Sequence, residues 1–218
     1  MFGQAYFEPW HGPQYGKSKP RLLVIGESRY DEAFTDKQII QERVNGQRHR
    51  TYTNFVQAAI GTRHWEQGYD EPAFWNGVVF YNYNTKFLPG KAREPLSWNE
   101  RMNNQNPQML REVLREWKPT HAVAWGKCNW DSLRVEGAEW TGMQPIPGTV
   151  TDEPYRAVTV DGFATLFARV WHPSWQGFSY KRWAPMLKAF LAIESYPSTL
   201  NGHSAIRSSQ SGRRASAW

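Results

Sequence analysis

Two ionisable side chains in this 218-residue chain stand directly behind apolar runs: Glu27 follows RLLVIG (21–26), and His172 follows FATLFARVW (163–171). A carboxylate at a strand end can steer a water or stabilise a developing positive charge. A histidine held by a following proline, here Pro173, can donate a hydrogen bond to a departing anion. Either residue alone is an ordinary strand end. The pair is the stronger signal. Glu27 also opens a polar cluster, Ser28, Arg29, Tyr30, Asp31 and Glu32. The last two read either as backup carboxylates or as charges at a helix N-terminus.

Such side chains need strands to carry them. RLLVIG is short, continuous and rich in branched residues, as a fully buried strand requires. GVVFYNYN (77–84) is a second strand, ending in Tyr81, Asn82, Tyr83 and Asn84; HAVAWG (121–126) is a third and the run from 163 a fourth. Between Thr35 and Gly61 the pattern gives two helices broken near Asn45-Gly46. Asn106 and Pro107 read as cap and first residue of a helix with Leu110, Val113, Leu114 and Trp117 on one face, ended by Lys118-Pro119. A short helix is expected around Trp130 to Leu133, and a closing one over Tyr180 to Ile193 with Leu187, Phe190 and Leu191 inward. Residues 135–162 read as loops with room for an edge strand. This alternation predicts an α/β fold: a three-layer α/β/α sandwich around a central, largely parallel sheet of four to five strands. Ligands bind such sheets outside the carboxyl ends of the strands. GESRYD, NYN, WGK and HPSW are therefore expected to converge on one crevice.

One domain is expected over 20–195, preceded by an aromatic, Gly- and Pro-rich arm (1–19) and followed by a disordered basic tail (196–218). The tail's Arg207, Arg213 and Arg214 supply half of the formal charge of +6, leaving a body only mildly suited to a phosphate backbone. No run approaches a membrane span and the N-terminus lacks a signal-peptide pattern. Cys128 is alone, which excludes an internal disulfide and argues against cysteine-rich metal sites. A cytoplasmic monomer without metal or other cofactor is the expectation. Twelve tryptophans, ten tyrosines and eleven phenylalanines exceed ordinary use; most should pack the core, but aromatics also stack on bases and sugar rings.

LLVIGESRY resembles the first motif of the uracil-DNA glycosylase superfamily, and VWHPS (170–174) resembles its second, a strand running into His-Pro-Ser. VVFYNYNTKFLP is similar to the strand that ends in that family's base-recognising asparagine, and HAVAWGKCNWDSL to the segment before the second motif. The similarity spans roughly residues 20–193, in the family's order. It implies a DNA glycosylase that extrudes a nucleotide from DNA and hydrolyses its N-glycosidic bond, in DNA repair or antiviral defence. By this resemblance Glu27 takes the place of a catalytic glutamate, with Asp31 as a substitute carboxylate, and His172 stabilises charge on the leaving base. Tyr30 walls the pocket, Arg29 replaces the motif's proline, and Asn82, Tyr83 or Asn84 reads the base, Tyr83 holding the recognition position in an ungapped match. Ser28, Lys86 and Ser174 fall on the DNA-contacting side, and Trp175 or Gln176 at the wedge that enters the base stack. Arg29, Tyr83 and the surplus tryptophans favour a hypermodified or glucosylated pyrimidine over plain uracil. Rival readings are a DNA-binding module of the same fold without catalysis and a serine hydrolase using Ser28 and His172. The latter lacks the second glycine of a nucleophile elbow. A nucleotide-binding domain comes last, without GxGxxG or a P-loop.

Overall fold

The computed structural model describes residues 8–17, 19–28, 35–84, 99, 105–149 and 153–196; Arg29, Tyr30, Asp31, Glu32, Lys86 and the tail beyond Tyr196 lie outside them. Among the described residues seven strands form a mixed sheet: β1 (Trp10–His11), β2 (Leu22–Gly26), β3 (Val79–Asn82), β4 (His121–Trp125), β5 (Gln144–Pro145), β6 (Pro154–Val160) and β7 (Phe163–Val170), in the order β1-β3-β2-β4-β7-β6-β5. The helices of the described residues are α1 (Asp36–Val44), α2 (Arg50–Ile60), α3 (Glu71–Asn76), α4 (Gln105–Trp117), α5 (Lys127–Ser132) and α6 (Tyr180–Leu191). Among the described residues no helix is long and apolar enough to cross a membrane.

The four central strands, β3, β2, β4 and β7, run parallel. They are the four apolar runs of the sequence. The expected four to five strands are exceeded because three antiparallel strands extend the sheet at its margins. β1 comes from the N-terminal arm, anchored by buried Trp10, whose indole N–H donates to the Trp75 carbonyl at 2.7 Å. β6 is a full strand of seven residues where loops were the main expectation. It joins β7 through Asp161-Gly162, with φ of 50° and 79°, the two-residue turn whose twist matches a hairpin. That Asp-Gly signal is present in the sequence.

Alternation along the strands builds two cores. Leu22, Val24, Phe80, Val123 and Trp125 pack with Phe55 of α2, Trp75 of α3 and Trp183 and Phe190 of α6. Leu23, Ile25, Val79, Tyr81 and Ala124 pack with Leu110, Val113 and Leu114 of α4 and Trp130 of α5. In α4 the cap reading is corrected: the helix already includes Gln105, and Asn106 is fully buried within its first turn. In α6 Leu191 is only partly buried, while Trp183 and Met186 join Leu187 and Phe190 inside.

One buried polar knot closes the carboxyl end of β2 and β3. Thr35 and Gln38 form a capping box that starts α1. Asp36, on its first turn and 1% exposed, accepts from the Asn82 backbone N–H at 2.8 Å and from its side-chain amide at 2.7 Å. Asn82 in turn lies over Gly26, where any Cβ would collide with Asn82 Oδ1. Gly26→Ala is expected to destabilise the fold by roughly 1–3 kcal/mol, because it either crowds a packed interior or unpairs a buried carboxylate. Urea unfolding checks it; an unchanged midpoint contradicts the constraint.

Candidate active site

Residues that follow three of the parallel strands meet in a cleft of about 410 Å³. Glu27 comes from the end of β2, Gly126, Lys127 and Cys128 from the end of β4, and Trp171, His172 and Trp175 from the end of β7. GES, WGK and HPSW therefore converge as the sheet rule requires. Asn82, Tyr83 and Asn84 are not among the described lining residues.

His172 is fixed on two sides. Its Nδ1 lies 3.2 Å from the Ser174 backbone N–H and 2.7 Å from the Ser174 hydroxyl. A backbone N–H can only donate, so Nδ1 accepts and the neutral ring carries its proton on Nε2. The ring stands edge-on to Trp125 at 6.0 Å and 85°. Gly126 passes beside it with φ of 86°, a backbone conformation reserved in practice for glycine. Burial against these groups pushes the imidazole from its ordinary 6.5 down to about 4. At neutral pH the cleft thus holds an uncharged N–H donor.

The segment after His172 is a tightly tied turn. The Trp175 N–H donates to the His172 carbonyl at 2.9 Å, the Phe178 N–H donates to the Trp175 carbonyl at 3.0 Å, and the Asn54 amide of α2 donates to the Pro173 carbonyl at 2.9 Å. Trp175 packs edge-on against Trp171 at 4.5 Å yet remains 52% exposed. Its ring lies over Gly177, leaving no space for a Cβ there. Arg182 stacks 4.1 Å from the Trp171 ring and braces the pair from behind. Gln176 is exposed beside it.

Glu27 leaves β2 where two backbone bonds continue the pairing: the Tyr83 N–H donates to the Gly26 carbonyl and the Asn84 N–H to the Glu27 carbonyl, both at 3.0 Å. Asn129 of α5 donates to the same Gly26 carbonyl at 3.1 Å, tying the strand end to the helix that carries Lys127. Lys127 pairs with Asp131 at 2.8 Å on the exposed face of α5.

The other sequence candidates sit elsewhere. The Asn82 side chain serves Asp36. Tyr83 is buried, its hydroxyl accepting from the Arg134 N–H at 3.0 Å and donating to the Ser132 carbonyl at 3.3 Å; burial pushes it up to about 12. Asn84 is buried. Ser28 Oγ is enclosed and has no hydrogen-bond partner among the described residues. Ser174 is exposed and bound to His172. Arg29, Tyr30, Asp31 and Lys86 lie outside the described residues. Individual roles for Gly126, Lys127 and Cys128 do not emerge from the sequence pattern; the glycine closing the third apolar run is the signal that marks them. Among the described residues no three His, Cys, Asp or Glu side chains are grouped to hold a metal ion.

No protein-family model matches the chain, and comparison with curated proteins gives no match.

His172 should titrate in NMR with a midpoint near 4 and show the Nε2–H tautomer; a midpoint at the ordinary 6.5 contradicts the geometry. Because the folded value lies below the unfolded one, the stability tied to neutral His172 is complete above pH 6.5 and is lost as pH falls through about 4.

Proposed function

We propose that this chain is a monofunctional DNA glycosylase with a three-layer α/β/α architecture, resembling the uracil-DNA glycosylase superfamily. The observation that carries the reading is the convergence of Glu27 and a neutral, N–H-donating His172 on one cleft at the strand ends. In the reaction the C1′–N bond of an extruded nucleotide breaks and a C1′–O bond to water forms. Electrons flow to the base, and Nε2–H of His172 stabilises the resulting anion without an unfavourable full proton transfer. Glu27 orients the water, stabilises the oxocarbenium-like sugar and accepts the water's proton.

Extrusion costs a few kcal/mol of stacking and pairing. The exposed indole of Trp175, on its braced turn, would fill the vacated space, and the Ser174 hydroxyl would turn from His172 to meet the flanking phosphate. Trp171, Trp175 and Lys127 border a cleft with room for more than a bare pyrimidine ring. A hypermodified pyrimidine, including one bearing a sugar that stacks on Trp171 or Trp175, fits that chemistry.

The competing reading is a DNA-binding module of the same fold without catalysis. It draws on Asn82 and Tyr83, whose polar atoms are engaged away from the cleft. Release of free base from DNA carrying uracil, damaged or sugar-modified pyrimidines separates the two. Glu27→Gln should slow release by roughly 100-fold or more while DNA affinity is kept. Equal release by the variant and the wild type sinks the assignment.

A further inference from the structure

A second groove, of about 430 Å³, lies where the turn that carries His172 runs into α6. Arg63, His64, Trp65 and Tyr180 form its walls, and Phe178 and Ser179 bring the end of the turn into it. Asn54 also lines this groove while its amide holds the Pro173 carbonyl, so the groove adjoins the turn that carries His172.

The groove is built in advance. Arg63 donates from Nε to the Tyr180 hydroxyl at 2.9 Å, and its guanidinium sits 5.4 Å from the Tyr180 ring and 5.1 Å from the Trp65 ring. Gln57, nearly buried in the floor, accepts from the His64 backbone N–H at 3.3 Å. Glu66 lies 3.9 Å from Arg63 Nε and accepts from the Arg63 backbone N–H, which orders the turn. Among the described residues neither Nη group of Arg63 has a hydrogen-bond partner. Trp65 is 64% exposed, and it and Trp175 are two of the three exposed large apolar side chains among those residues. An indole held beside a cation and left open to solvent is the composition of a base-stacking platform.

We propose that this groove binds an unpaired DNA nucleotide flanking the one taken into the His172 cleft, with its base stacked on Trp65 and its phosphate on Arg63. The proposal rests on the glycosylase reading for its partner. It gives the protein a single-strand subsite: a base paired within a duplex has no open face to offer the indole, whereas an unpaired one does.

Fluorescence anisotropy with an unmodified single-stranded oligonucleotide of about 15 nucleotides tests it. Trp65→Ala should weaken binding roughly 10-fold, with Trp65→Phe retaining most of the affinity. Arg63→Gln should reduce the slope of log affinity against log salt by roughly one phosphate contact. Met143→Ala, at a comparably exposed apolar side chain near β5, should leave affinity unchanged. Unaltered binding by Trp65→Ala, an equal loss for a blunt duplex, or no single-strand binding by the wild type each overturns the subsite. Base release is measured in parallel. Trp65-dependent binding without any release rejects the glycosylase reading and keeps the groove, whereas release with Trp65-independent binding rejects the groove alone.

Discussion

The buried carboxylate of Asp36 is the constraint around which the candidate site is organised. It takes both the backbone and side-chain N–H groups of Asn82 at the last residue of β3 and so locks the start of α1 onto the end of the parallel core. A buried carboxylate left without such donors costs several kcal/mol, so the arrangement is kept as a unit. Gly26 must lack a Cβ for Asn82 to lie where it does. The residue after Gly26 is Glu27, and its departure from the sheet is set by that packing. The placement of Glu27 at the end of this strand therefore follows from how the strand end is sealed.

At the end of β7 the determining factor is desolvation. Behind His172 stands Trp125, itself within an aromatic cluster, edge-on to Tyr52 and tilted against Phe55 and Phe80, at centroid separations of 5.1–5.5 Å. A packed aromatic wall admits little water, and the hydration an imidazolium loses there lowers its pKa. The Ser174 contacts then select the tautomer. Burial sets the charge and hydrogen bonding sets the direction of the donor.

The antiparallel extension is tied to the same region. Arg156 of β6 is nearly buried between the rings of Trp130 and Trp140, 4.2 and 3.8 Å from their centroids, and donates to the Trp130 carbonyl at 3.2 Å. Burial lowers its pKa from 12.5 to about 10, which still leaves a cation at neutral pH. This stack joins the hairpin of β6 and β7 to α5, whose first residues, Lys127 and Cys128, border the cleft. Five tryptophans, Trp10, Trp75, Trp125, Trp130 and Trp183, are buried as packing elements, while Trp65 and Trp175 are turned outward. The excess of aromatics thus divides between holding the site and facing what approaches it.

The sequence by itself determined the four parallel strands, both helices before Gly61, and the placement of Glu27 and His172 at strand ends. Each is written in local terms: a continuous branched run, a 3.6-residue period, a glycine or proline stop. It did not separate Asn82 from a base reader, because an asparagine after a strand looks the same whether it faces a ligand or a buried aspartate 46 residues away. Nor did it distinguish Trp65 from Trp75, one exposed and the other buried within an aromatic cluster. The edge strand β1 and the pairing of β6 also depend on partners far along the chain. Tertiary structure decided those matters, since burial, the pKa of His172 and the two sides of its turn are properties of neighbours that no single segment contains.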